Sequence, residues 1–453
     1  MKQIKNLLIA ISIFAFACAA PKNISSVKQE KKIDSVDLVI TNISVIPMDN
    51  DTTLLNQTIW INDGKIIGFG KNTSLIAKKT IDGTGKYLMP GLADMHVHLP
   101  DFVIPVRTGT DGQAGLPDYN PDSVQQLNRY FSLNLAAGVT TLRSMRGKPG
   151  HIALAKKIAA GEIVAPTIHC SAPAISSKSE VKLEQIDSLV ASYKNEGYEL
   201  LKILSIKDTT YFNQFVASAK KYDIKLAGHA PRNVSFDALL DAEYSSIEHL
   251  GGYLAAVYKG GAVLKRAVNK TIEKGIYNCA TLDWYNIGYL QVPLESLKKR
   301  HGLQYMSAEK NKAWEDEMAA SFEKTDDGRK TDYQTAMAYK FLILKALDAG
   351  GAKLLLSPDA TGSFAVPGFS MWEEMKLYKR AGLSNYSILK AATVNAAAYF
   401  GEANTWGTLT NNKRADMVLL KKNPLENIEN IATVEGVFLN GKYFSQEVLV
   451  KMK

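Results

Sequence analysis

From residue 120 onward the chain alternates helical segments with short apolar strands, and that rhythm is the tightest constraint on its fold. A helix over 121–137, stopped by Gly138, leads to the strand Val139-Thr-Thr-Leu-Arg143. A helix over 152–160, capped by Gly161, leads to Thr167-Ile-His-Cys170, and one over 183–195 leads to Leu200-Leu-Lys-Ile-Leu204. Helices over 210–222, 236–242 and 264–274 lead in turn to Lys225-Leu-Ala-Gly-His229, Ser246-Ile-Glu-His249 and Tyr277-Asn-Cys-Ala-Thr281. After a longer interval comes Ala352-Lys-Leu-Leu-Leu-Ser357, and a last helix is expected over 386–400. With the strand described next, this makes eight strands joined mostly by helices, the pattern of an α/β fold closed as a parallel (β/α)8, TIM-like barrel.

The first strand of that set is Leu88-Met-Pro-Gly-Leu-Ala-Asp-Met-His-Val-His98. Side chains alternate along a strand, so His96 and His98 share a face, and Pro100 with Asp101 ends the strand just beyond them. Both imidazoles therefore sit at the carboxyl end, where barrels carry their chemistry. A His-x-His pair alone is an ordinary strand dipeptide; its weight comes from its company. His96 and His98 end the first strand, Lys202 marks the fourth, His229 the fifth, His249 the sixth and Asp359 the eighth. Five of these six are metal ligands in their ordinary form, and barrel geometry gathers all six at one face. Lys202 lies between Leu200-Leu201 and Ile203-Leu204, where burial disfavours an ammonium and calls for a reason.

Before Pro90 the chain reads as short strands: Asp37-Leu-Val-Ile-Thr-Asn-Ile-Ser-Val-Ile46, Gln57-Thr-Ile-Trp-Ile61, Lys65-Ile-Ile-Gly-Phe69 and Thr80-Ile-Asp82. Asn62-Asp63-Gly64 is a strong hairpin signal between two of them. Gly407-Thr-Leu-Thr410, Ala415-Asp-Met-Val-Leu-Leu420 and Thr433-Val-Glu-Gly-Val-Phe-Leu439 return to strands at the other end. The interval of about 284–349 exceeds a barrel repeat and is expected to be a helical cap insertion over the mouth, where substrates are selected.

The formal charge of +9 includes Lys2 and Lys5, and no basic run interleaves with aromatics, so the excess reads as solvated surface rather than a nucleic-acid site. Residues 1–17, two lysines followed by Leu7-Leu-Ile-Ala-Ile-Ser-Ile-Phe-Ala-Phe-Ala17, read as a secretory signal peptide. Ala15 and Ala17 before Cys18 resemble a bacterial lipoprotein cleavage site; ordinary cleavage near Ala17 or Ala19 is the alternative. Residues 18–35, polar and rich in Lys and Ser, read as a flexible tether. The protein is thus expected to be exported, periplasmic or outer-membrane-anchored, and to meet a membrane only through a lipid at Cys18. Cys170 and Cys279 lie in apolar strands and are expected to be buried thiols rather than a disulfide.

Together these features resemble the amidohydrolase superfamily of metal-dependent hydrolases, in the branch of imidazolonepropionase-like and prolidase-like proteins. Asp82-Gly-Thr-Gly-Lys-Tyr-Leu-Met-Pro-Gly-Leu-Ala-Asp-Met-His-Val-His98, Ala137-Gly-Val-Thr-Thr-Leu-Arg143 and Arg414-Ala-Asp-Met-Val-Leu-Leu420 carry the likeness. The resemblance implies a barrel over 90–402 with a small β-sandwich domain built from both chain ends, 36–89 and 403–453. It implies two divalent metal ions, zinc being the expected metal. His96, His98 and Asp359 would hold the more buried ion and His229 with His249 the more exposed one, bridged by Lys202 as a carbamate. A metal-activated water would then attack amide or peptide C–N bonds of small substrates such as dipeptides or N-acyl amino acids, with Asp359 moving the proton. The sequence departs from the family pattern at Ser357-Pro358-Asp359, where Gly-Thr-Asp or Gly-Ser-Asp is common, and at Ser144, where Asp usually follows the arginine.

Arg143 and Arg232, the latter three residues past His229, are the cations expected near the mouth, where one could pair with a substrate carboxylate or form a structural ion pair. Two other functions stay open: a hydrolase of cyclic amides, and a non-catalytic envelope protein that binds metal or ligand. A homo-oligomer is compatible with each.

Overall fold

The computed structural model describes residues 35–70, 76–100 and 121–452, the side chains of 121–124 excepted. The expected signal peptide, Cys18 and nearly all of the tether lie outside the described residues.

Five strands lead in: β1 (Ser35–Val45), β2 (Leu54–Asn62), β3 (Lys65–Gly70), β4 (Ile76–Asp82) and β5 (Tyr87–Pro90). The β2–β3 hairpin turns where the Asn-Asp-Gly signal stands, Asn62 pairing Lys65, with Asp63 and Gly64 at φ of 47° and 69°. The central eight follow: β6 (Leu92–Val97), β7 (Val139–Ser144), β8 (Thr167–Cys170), β9 (Leu200–Ile203), β10 (Lys225–Gly228), β11 (Ser246–Glu248), β12 (Tyr277–Cys279) and β13 (Leu354–Leu355). The chain ends in β14 (Met417–Leu420), β15 (Val434–Leu439) and β16 (Lys442–Ser445), with a short helix Gln446–Lys451 after them.

All pairings among the central eight are parallel, in a five-stranded sheet ordered β13-β12-β11-β10-β9 and a three-stranded sheet ordered β6-β7-β8. Backbone contacts cross both gaps between these sheets. Parallel bridges Ser171–Leu200 and Ile175–Ile203 join the chain after β8 to β9, and Met95 N donates to Leu356 O at 3.1 Å. Such parallel strands need crossovers, and helices supply them. Their starts are capped by side chains: Asp208 accepts from Tyr211 N, Ser235 from Ala238 N, Asp326 from Arg329 N and Ser384 from Ser387 N. Two glycines allow the strands to approach. A Cβ on Gly91 would lie 2.0 Å from Thr140 Oγ1, and one on Gly228, at φ 130°, would lie 2.2 Å from Ile203 O.

Strands from residues 35–90 and 417–445 share one eight-stranded sheet, β16-β15-β14-β5-β1-β2-β3 with β4 also on β1. Its interior is Leu38, Ile40, Ile43, Ile59, Ile61, Met417 and Phe438. Residues 35–453 nevertheless group as one compact unit, without separating this sheet from the central strands.

Three details differ from expectation. Gly407-Thr-Leu-Thr410 is not a strand: Gly407 sits at φ 90°, Leu409 N donates to Pro47 O, and Lys413 bonds Thr408 Oγ1 and Thr410 O, with no strand ladder beside the segment. The helix expected over 386–400 is two, Asn385–Ala391 and Val394–Phe400. It breaks because the Ala392 carbonyl turns to accept from Ala93 N of β6, and Thr393 leaves helical geometry at φ −134°. The strand β16 was not foreseen.

The 284–349 interval is helical, with short helices Leu282–Gly288 and Leu294–Leu297 separated at Pro293, then long ones Ala308–Lys324 and Asp327–Ala349. Among the described residues no helix is long and apolar enough to cross a membrane.

Candidate metal centre

His96 lies in β6 and His98 one residue past its end; their rings are 5.6 Å apart, as strand alternation requires. His229 follows β10 and His249 follows β11, so both leave the same strand ends. The His249 ring lies 4.8 Å from that of His96 and 4.9 Å from that of His229. Lys202, within β9, brings Nζ to 2.8 Å from His96 Nε2. Asp359 places one carboxylate oxygen 3.9 Å from His96 Nε2 and the other 3.9 Å from His98 Nε2. The six residues expected from the sequence therefore meet in one cluster.

The Ser-Pro-Asp departure does not displace Asp359. Ser357 Oγ donates to Asp94 and lies 3.0 Å from His96 O, while Asp359 N donates to the same hydroxyl at 3.2 Å. The turn is pinned on the strand that carries the histidines, and Asp359 holds a left-handed φ of 50°.

The imidazoles are set for ligation. His96 Nδ1 is 2.7 Å from Glu248 Oε2, so the proton sits there and the Nε2 lone pair faces the cluster. His249 Nδ1 is 2.7 Å from Thr281 Oγ1, which does the same for its Nε2. Among the described residues His98 Nε2 is buried without a hydrogen-bond partner. Burial holds all four rings uncharged: His98 and His229 are pulled down to about 4, and His96 and His249 lie well below the ordinary imidazole range. Burial also pushes Asp359 up to about 6 and Asp94 up to about 7, and pulls Lys202 down to about 8. A crowd of lone pairs and desolvated carboxylates, with one orphaned ring nitrogen, fits a cation. The donor atoms of His96, His98 and Asp359 lie within 4.8 Å of one another, the spread one ion can bridge. His96, Glu248 and Cys279 form a second close group, but Glu248 is spent on Arg143 and burial keeps the Cys279 thiol protonated.

Arg143 is not at the mouth. It is fully buried, its Nη2 donating to both oxygens of Glu248 at 2.9 and 3.0 Å, Nη1 to Ser246 Oγ at 2.8 Å and Nε to Met95 O, with Tyr399 beneath it. This is the structural ion pair, and it corrects the alternative of a substrate contact for Arg143. Arg232 is exposed on the loop after β10. Sequence reasoning did not single out Glu248, Thr281 or Lys340. Lys340, from the long inserted helix, donates to His249 O at 3.0 Å and lies 3.3 Å from the centre of the Tyr285 ring, itself 6.3 Å from His249. His249 and Leu250 both have left-handed backbones, φ 62° and 57°, which turn that carbonyl toward the insertion.

A profile of the amidohydrolase family matches residues 87–443, which take in every residue of this cluster. The chain belongs to the amidohydrolase family. It is 23% identical over 494 aligned positions to an ochratoxinase of Aspergillus niger, covering 94% of this chain and 92% of that protein. It is also 46% identical to a 5'-deoxyadenosine deaminase of Methanosarcina acetivorans over 63 residues, spanning only 14% of this chain and 15% of that one. A crystal structure of a Xaa-Pro dipeptidase with methionine in its active site superposes with a TM-score of 0.66 at 18% identity, over 90% of this chain and 99% of that one. Family membership and these relatives support a hydrolase acting on C–N bonds of small molecules. The candidate ligands agree with the metal dependence typical of the family.

Proposed function

We propose that the chain is a binuclear, metal-dependent amidohydrolase that cleaves amide or peptide C–N bonds of dipeptides or N-acyl amino acids, on a closed (β/α)8 barrel. The observation that carries this reading is Lys202, whose buried amine stands 2.8 Å from His96 Nε2 between the two groups of histidines. As an ammonium it is misplaced among ring nitrogens aimed at a cation. Carboxylated by carbon dioxide with loss of a proton, it would be an anion with two oxygens, able to hold metal together with His96, His98 and Asp359 and with His229 and His249.

When bound, divalent ions, zinc in our reading, supply Lewis acidity toward an amide carbonyl and toward a water. The protein's own residues do the rest. Glu248 and Thr281 keep the imidazole lone pairs pointed inward. Asp359, raised toward neutrality by burial, can take a proton and return it to the departing nitrogen, which amide cleavage requires. The Xaa-Pro dipeptidase and ochratoxinase likenesses support a small amide substrate. A lipid on Cys18 that holds the enzyme at a bacterial envelope membrane completes the proposal.

The test is metal content per chain after expression with zinc and bicarbonate. Close to two ions, falling in Lys202→Ala, is the expected result. About one ion, insensitive to Lys202, points instead to the cyclic-amide hydrolase. No ion in a folded protein that zinc cannot reload points to a binding protein.

A further inference from the structure

The helix Leu282–Gly288 begins directly after Thr281, and a threonine in that place ordinarily turns its hydroxyl onto the first N–H groups of its own helix. Thr281 does not. Its side chain makes no cap, because Oγ1 stands 2.7 Å from His249 Nδ1 and receives the proton there. The first N–H groups of a helix have no acceptor within it, and when buried they must find one elsewhere. Glu374 supplies it. Fully buried in the middle of the helix Ser370–Arg380, it accepts from Leu282 N through Oε1 at 2.7 Å and from Asp283 N through Oε2 at 2.6 Å. One turn along the same helix, the Tyr378 hydroxyl accepts from Ala280 N at 3.4 Å and donates to Leu355 O at 2.8 Å. Residues on both sides of Thr281 are thus held by one helix.

Two features single out this arrangement. Thr281 keeps a left-handed φ of 49°, a conformation costly for a β-branched residue that persists only where the surroundings impose it. Glu374, for its part, has no cation within ion-pair distance among the described residues; Arg300 pairs with Asp283 and reaches Glu373 instead. Burial pushes the Glu374 carboxyl well above its ordinary range, while the Leu282 amide draws it back. A buried acid without a counter-charge is costly, and its hydrogen bonds go to the amides that follow Thr281. The other partner in the Thr281 contact is fixed as well, since Lys340 donates to the His249 carbonyl at 3.0 Å.

We propose that Glu374 is a positioning residue for His249: it caps the helix Leu282–Gly288 in place of Thr281 and so leaves the Thr281 hydroxyl free to fix the His249 ring for its metal ion. The proposal rests on the metal-centre reading. Without the carboxylate, the Thr281 hydroxyl is the acceptor standing next to the two bare amides. Once turned to them it leaves His249 Nδ1 unpaired, and the ring proton can move to Nε2, where it blocks ligation.

The experiment uses the full chain with isotope-labelled histidine, followed by NMR first without metal and then through a zinc titration. In wild type the His249 ring is expected to carry its proton on Nδ1. Glu374→Gln keeps the shape but turns an NH2 group toward one of the two amides. It should give a mixture of tautomers at His249 and weaken one of the two zinc sites about 10- to 100-fold, the usual cost of losing an outer partner of a metal-binding histidine. The decisive comparison is made in the Thr281→Val background. There Glu374→Gln should lower stability yet cause no further loss of zinc affinity, because Thr281 is the route through which Glu374 acts. A wild-type His249 protonated on Nε2, an unchanged tautomer in Glu374→Gln, or losses that multiply in the double variant would each overturn the proposal, the last by making Glu374 structural only. Should the glutamine variant fail to fold, Glu374→Asp, which draws the same charge back by one methylene, replaces it with the same expectations. A wild type that takes up fewer than two zinc ions would remove the binuclear reading, and the tautomer shift in metal-free protein would still decide the proposal.

Discussion

Glu248 Oε2 lies 2.7 Å from His96 Nδ1 while Arg143 grips both oxygens of the same carboxylate, so one buried acid orients an imidazole of the candidate centre and neutralises a buried guanidinium. Glu248→Gln removes the charge and leaves the shape. The ring of His96 loses its fixed tautomer, and metal affinity should fall about 10- to 100-fold. Competition with a coloured chelator measures this. Stability should fall as well, by about 3–5 kcal/mol, because Arg143 keeps its charge without a partner.

Thr281 plays the matching part for His249, from a left-handed position at the end of β12. Thr281→Val keeps the volume and removes the acceptor for the Nδ1 proton. We expect weakened binding of the second ion with the first retained, read as metal stoichiometry in a chelator titration, and Thr281→Ser should restore it.

The Arg300–Asp283 pair ties the helix Leu282–Gly288 to the turn before Leu303, and both residues are buried. Arg300→Met strands a buried carboxylate and should lower unfolding stability by about 3–5 kcal/mol, visible in the urea midpoint. Replacing both, Arg300→Met with Asp283→Leu, should recover most of that loss.

One surface pair gives a pH signature free of metal chemistry. Lys221 and then the Tyr222 hydroxyl hold the Asp187 carboxyl below its ordinary range, and Asp187 in turn raises Lys221. A depressed carboxylate contributes stability above its unfolded value, near pH 4, and loses it as pH falls through the folded value; a raised lysine contributes below about pH 10 and loses it above. The Tm difference between wild type and Asp187→Asn should therefore be full near pH 7 and vanish toward pH 2, as thermal scans across pH will show.

Much of the centre was legible because strand ends converge. A residue at the carboxyl end of a parallel strand has one place to go, so His96, His98, Lys202, His229, His249 and Asp359 could be grouped without coordinates. Glu248 could not. It stands beside His249, on the face it shares with Ser246, and nothing local marks an interior acid that meets Arg143 and His96. Lys340 was hidden for another reason: a lysine on a polar helix reads as solvated, and only the fold of the insertion brings it to His249. Thr393 shows the limit for helices, since a carbonyl borrowed by β6 breaks a pattern whose periodicity runs straight through it.

The pairing of β5 with β14 sets an order of assembly. Met417 to Leu420 hydrogen-bond alongside Tyr87 to Pro90, the segment that feeds the strand bearing His96. Until the last part of the polypeptide has been synthesised, that segment keeps an open edge, and contacts so distant along the chain form slowly. A chain cut short before residue 417 would leave the edge open for good, so premature termination should yield aggregates rather than a weakened enzyme.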